Sequence, residues 1–234
     1  MAPILLTLFG FDLMTVVATD LLFATITKLV ASHSHNKNAL VDWQIVKRLW
    51  LGSIPATLIV VFLAHKGALF TNESWITYLL GSLVIFSGAA MLFGSNIQLF
   101  QRARRIKKPQ IFKKSQPPLT ITAGAILGGM VSATSIGAGA LGAIFLIGLY
   151  PLRMKPAKLV ATDTMHAIPV SLIGGLGYLA MGATDIKLLG LLLLGSIPSA
   201  LLASRLITAT PPVLIKNFLG LLLLLIGAKL LALT

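Results

Sequence analysis

Two aspartates stand inside apolar runs that offer them no water. Asp20 follows Thr19, and Asp163 follows Thr162. A carboxylate at membrane depth costs roughly 3 kcal/mol or more, so by default it marks a functional site. The chemistry open to such a pair is proton carriage, or gating beside a substrate. The alternative is that each Asp pins a neighbouring half-helix across a helix interface. His166 comes three residues after Asp163, which on a helix puts both on one face. It can donate to an anion or relay a proton; a polar interhelical contact accounts for it equally well. Lys28 lies eight residues after Asp20. Snorkelling to the membrane surface is the favoured reading for it, over pairing with an Asp.

A second group is built for binding. Ser132, Thr134 and Ser135 precede Gly137, Gly139 and Gly142. Glycines let backbone N–H groups approach a ligand, and a helix that starts there turns its positive end to the loop. The hydroxyls add donors. With Thr19, Thr162 and His166 these residues form a candidate oxyanion site without lysine, suited to binding that must also release. A small-residue packing interface is the competing reading. His33 and His35 are a weak metal pair without further ligands at site spacing.

The composition says what surrounds these residues. Of 234 residues, 56% are hydrophobic and 11% charged, and mean hydropathy is +0.93. Soluble domains carry roughly 25% charged residues, so this chain is solvated by lipid. The absence of cysteine excludes thiol catalysis and cysteine metal sites. The net charge of +13 would suggest nucleic acid in a soluble protein. Here the cations sit between apolar runs, as positive-inside loops do, and no nucleic-acid partner is expected. The N-terminus has no basic region or cleavage site of a signal peptide.

Apolar stretches at 14–32, 49–64, 74–100, 164–184, 188–204 and 213–234 read as spans. Segment 115–152 is uncharged for 38 residues, too long for one span, with the glycine-rich stretch in its middle. It reads as two half-helices, 119–131 and 140–149, joined by a loop that protein must surround. The segment 95–118, with seven Lys and Arg between 101 and 118 and no acid, reads as a cytoplasmic linker.

The two halves are related. At an offset of 143, Val17-Ala18-Thr19-Asp20 falls on Val160-Ala161-Thr162-Asp163, Asp42 on Asp185, and Gly52-Ser53-Ile54-Pro55 on Gly195-Ser196-Ile197-Pro198. Residues 17–58 give 14 identities in 42 pairs, an internal repeat. Asp42 and Asp185 read as helix N-caps, Pro55, Pro169 and Pro198 as kinks, and Trp43 and Trp75 as interface anchors. Basic residues near 33–48, 150–158 and 205–216 exceed those in the equivalent loops, which favours inverted topology. The expectation is an all-α polytopic membrane protein. Its two inverted-topology repeats, 1–94 and 119–234, each have three spanning helices and a broken, re-entrant element. Position 144 maps onto Met1, so the counterpart of 119–143 is missing from the first repeat.

Leu22-Phe23-Ala24-Thr25-Ile26-Thr27-Lys28 after Ala18-Thr19-Asp20 resembles the first-half signature of the sulfite exporter TauE/SafE family. The run from Ala161 to Pro169, with Gly174-Gly175-Leu176-Gly177, resembles its second-half counterpart. The stretch from Thr134 to Gly142 resembles its glycine-rich loop, and Leu194 to Pro198 and Ser204-Arg205 match too. The resemblance implies a multi-pass transporter of the inner membrane, not an enzyme and without a cofactor. Its partners would be the bilayer and a small sulfur anion, such as sulfite or an organosulfur oxyanion, with export as the direction. Coupling to protons is a separate expectation, from the intramembrane acids Asp20 and Asp163 with His166. Family members carry a glycine-rich loop in the first half as well, ahead of a segment like 3–10. If that loop forms half the site, this chain is inactive, completes itself as a homo-oligomer, or starts late. The rival readings are an uncoupled anion channel, an intramembrane aspartyl dyad and a non-transporting membrane protein.

Overall fold

The computed structural model describes residues 2–36, 40–69, 73–105, 109–136, 139–151, 153–207 and 212–232. They form α1 (Ala2–Phe9), α2 (Leu13–Asn36), α3 (Trp43–His65), α4 (Glu73–Arg105), α5 (Pro109–Thr134), α6 (Ala140–Leu149), α7 (Pro156–Ala180), α8 (Ile186–Ile207) and α9 (Pro212–Ala232). No strand occurs among the described residues. Four stretches are long and apolar enough to cross a membrane: Leu13–Val30, Trp43–His65, Trp75–Leu92 and Ala157–Ala180. The apolar parts described in α8 and α9 are shorter, Ile186–Ser196 and Asn217–Ala232.

Local chemistry sets the helix limits. Asp12 opens α2 by accepting the Thr15 N–H at 3.0 Å and its hydroxyl at 3.1 Å. Pro156 opens α7 at the first helical position, where its missing N–H costs nothing. Tyr150-Pro151 stops α6, since proline disfavours helix in the residue before it. The basic segment 95–118 is largely helical, because α4 runs on to Arg105 and α5 begins at Pro109. Lys, Arg and Gln are good helix formers, so charge there marks the end of the apolar run and not the end of the helix.

The interior is a set of packed helix pairs: α3 along α5, α4 along α9, α2 along α7, and α3 against α7. The α3–α5 contact is close because Gly52 meets the α5 backbone; a Cβ there would lie 2.7 Å from the Ala125 N. One buried cluster joins Val17 and Leu21 of α2 to Ile76, Leu80, Val170 and Tyr178. A second joins Ile45 and Leu49 of α3 to Leu127, Leu146 and Tyr150. The two clusters surround the break between α5 and α6.

Candidate functional site: the break between α5 and α6

The break lies between Thr134 and Ala140. Two residues there have left-handed backbone, Ser135 at φ 57° and Gly139 at φ 110°. A non-glycine residue at positive φ is uncommon and carries strain. Gly137 lies outside the described residues.

Asp163 of α7 points at the start of α6. The Gly139 backbone N–H faces its carboxylate. The side chain packs against Gly142, where a Cβ would stand 2.8 Å from Asp163 Cγ and closer still to Oδ1. Asp163 is 8% exposed, and its Oδ1 has no hydrogen-bond partner. A negative group at a helix N-terminus is favoured by the unpaired N–H groups and the dipole. Asp20 does the same for α1: its Oδ2 accepts the Ala2 N–H at 3.2 Å. Each aspartate therefore meets the N-terminus of its own short helix.

His166 is buried on the same helix. Its Nε2 lies 3.1 Å from Ser53 Oγ, its carbonyl accepts from Trp50 Nε1 at 3.2 Å, and its Nδ1 has no hydrogen-bond partner. Lys28 is partly buried and lies within electrostatic reach of both Asp163 and Asp20. The favourable influence of the two acids is compatible with either expected reading of Lys28, pairing with an Asp or snorkelling to the membrane surface.

The hydroxyls divide into engaged and free. Ser132 Oγ donates to the Gly128 carbonyl at 2.6 Å, and Thr134 Oγ1 to that of Met130 at 2.7 Å. Thr134 Oγ1 also accepts the Ile136 N–H at 3.2 Å. Thr19 accepts the backbone N–H of Asp185 at 3.2 Å, and Thr162 that of Asp42 at 3.1 Å. Ser135 Oγ is buried without a hydrogen-bond partner. Ser135, Gly139, Asp163 and His166 thus remain with unused or redirectable polar groups, while Ser132, Thr134, Thr19 and Thr162 are committed to backbone. Ser53 and Trp50 join the site unannounced; the shared Gly-Ser-Ile-Pro motif was the one signal near them.

At one end of the bundle, Asp42 binds two cations. Arg153 Nε lies 2.6 Å and Lys158 Nζ 3.0 Å from its Oδ2, and Arg153 Nη2 donates to Oδ1 at 2.8 Å. Burial alone would raise its pKa, but Lys158 and Arg153 outweigh burial and hold it below the ordinary carboxylate value. Asp42 occupies the N-cap position of α3 without a side-chain capping bond. This differs from the expected cap because the cations compete for the carboxylate. Asp185 does cap α8, accepting the Leu188 N–H at 2.9 Å. Among the described residues no cluster of metal-binding side chains occurs.

The profile of the sulfite exporter TauE/SafE family matches residues 1–230. A probable membrane transporter protein, YjnA of Bacillus subtilis (strain 168), is 32% identical over 98% of this chain and 89% of its own length. A second one from that organism, YdhB, is 27% identical over 90% of this chain and 81% of its own. No solved structure matches the chain. The match runs through both aspartate-bearing helices and the break between α5 and α6, and on it the chain belongs to the TauE/SafE sulfite exporter family of membrane transporters.

Proposed function

We propose that the chain is a secondary transporter of sulfite or a related organosulfur oxyanion, in the export direction, in which Asp163 and the substrate compete for the N-terminus of α6. The observation that carries this reading is the buried Asp163 carboxylate facing the Gly139 N–H. An ionised Asp163 fills the positive end of α6. A protonated one gives up that interaction, and an oxyanion takes its place on the Gly139 N–H, with Ser135 and His166 as further donors. Lys28 adds positive charge beside both acids. Proton and anion then move together, so in export the anion's own outward gradient carries a proton out with it, and Asp20 plays the matching part at α1.

The inverted-topology organisation belongs to the same proposal. The starts of α2 and α7 differ by 143 residues, as do those of α3 and α8. The Thr19–Asp185 and Thr162–Asp42 hydrogen bonds change places under that offset. This supports two repeats exchanged about a pseudo-two-fold axis, with the basic 95–118 segment and the Arg153 end in the cytoplasm of a cell whose inner membrane holds the chain.

The test is flux of sulfite, thiosulfate, sulfoacetate, sulfate and chloride in proteoliposomes, with and without a pH gradient. Wild type is expected to concentrate a sulfur anion with the gradient. Asp163→Asn is expected to keep anion exchange and lose the uphill component. Gradient-dependent uphill flux in Asp163→Asn would overturn the competition. Flux that never runs uphill in wild type would make the protein an anion channel.

A further inference from the structure

We propose that α3 carries a binding groove for an anionic glycerophospholipid, with Lys47 on the headgroup phosphate and Trp50, Leu51, Ile54 and Pro55 along one acyl chain. The groove has a volume of about 450 Å³, is shallow and largely open, and is lined by these five residues. Their spacing, 47, 50, 51, 54 and 55, is one stripe of a single helix. All but Lys47 present apolar surface. Leu51 is 65% exposed, in a stretch that is long and apolar enough to span the membrane. The groove therefore opens toward lipid, not toward water.

Charge and depth select the occupant. Lys47 lies four residues after Trp43, which begins the apolar stretch and is half-exposed, as a headgroup-level anchor is. Lys47 makes no ion pair among the described residues. The next residue, Arg48, turns inward and donates to the Tyr150 hydroxyl at 3.4 Å. Along the same outer face, Leu58 and Phe62 are 53% and 59% exposed and continue the stripe. From Lys47 to Phe62 the helix rises about 22 Å, more than the roughly 15 Å of one leaflet's hydrocarbon. One cation above a long apolar track fits a phosphate joined to an acyl chain. A free phosphate would meet a single lysine and no other donor of the groove.

The groove also touches the transport site. Trp50, its largest wall, donates through Nε1 to the carbonyl of His166. A seated acyl chain packs on the indole that holds the His166 turn of α7.

The experiment uses Trp50 fluorescence in a W43F/W75F chain, which leaves Trp50 as the sole tryptophan of the three. The protein is reconstituted in phosphatidylcholine with increasing fractions of brominated phosphatidylglycerol, or of brominated phosphatidylcholine. A lysine at the membrane surface favours an anionic lipid by about fivefold. Phosphatidylglycerol is therefore expected to quench at about one fifth the mole fraction that phosphatidylcholine needs. Lys47→Gln should abolish the preference and Lys47→Arg should keep it. Soluble glycerophosphoglycerol should leave the quenching unchanged. Equal quenching by both lipids with Lys47 in place, a preference that survives Lys47→Gln, or relief by the soluble headgroup would each overturn the proposal.

Discussion

Replacing Gly142 by alanine adds one carbon at the point where α6 meets Asp163. In the present packing that carbon would stand 2.8 Å from Asp163 Cγ, against 3.4 Å or more for an ordinary contact. Alanine by itself favours the helix by about 1 kcal/mol. Overpacking against a fixed neighbour costs roughly 1–3 kcal/mol. The carboxylate also leaves the N-terminus of α6, which costs up to about 2 kcal/mol in a partly buried geometry. The net destabilisation is therefore about 2 kcal/mol. The assay is reversible unfolding in mixed micelles, read as a double-mutant cycle with Asp163→Ala. Without the carboxylate, Gly142→Ala should be neutral or stabilising by up to about 1 kcal/mol. Equal costs in both backgrounds would refute the contact and, with it, the place assigned to Asp163. Gly190→Ala, where an added Cβ meets nothing within 4 Å, serves as the control.

Gly52→Ala should destabilise by roughly 1–3 kcal/mol through the α3–α5 backbone contact, whereas its repeat mate Gly195→Ala, with nothing within 4 Å, should cost nothing in the same unfolding assay. Ser53→Ala leaves the buried His166 Nε2 without its hydroxyl partner; a loss of roughly 1–3 kcal/mol is expected, and Ser53→Thr should restore most of it. Asp42→Asn leaves Arg153 and Lys158 facing a neutral amide; with both cations over 30% exposed, screening keeps the expected cost to about 1–2 kcal/mol. Because the folded pKa of Asp42 is depressed, its stabilisation is complete above the ordinary value of 3.8 and disappears only as pH falls through the lower folded value. Wild type and Asp42→Asn should therefore differ by a constant amount between about pH 5 and 8 and converge in strong acid.

What the sequence disclosed was mostly spacing. The 143-residue offset carries over to the starts of α2 and α7 and of α3 and α8. The glycine-rich stretch is where α5 stops and α6 begins. The burial of Asp20 and Asp163 followed from their apolar flanks. Hydroxyl commitments were not legible. Ser132 and Thr134 bond carbonyls four residues back in their own helix, an option open to any helical Ser or Thr. Thr19 and Thr162 meet partners 166 and 120 residues away, and local pattern carries no information about such pairs.

The exchanged hydrogen bonds of Thr19 and Thr162 bear on how the protein is made. The first half of the chain enters the membrane carrying the Asp42 N–H, whose acceptor Thr162 lies 120 residues further on, and Thr19, whose donor Asp185 lies 166 residues further on. Asp42 waits too for Arg153 and Lys158. A chain emerging N-terminus first holds these polar groups without their final partners until α7 and the start of α8 have been synthesised. At roughly 5–20 residues per second, the wait is about 6–35 seconds. For that interval the first half is an incomplete insertion intermediate. A ribosome stalled before residue 162 would leave it exposed to membrane quality control.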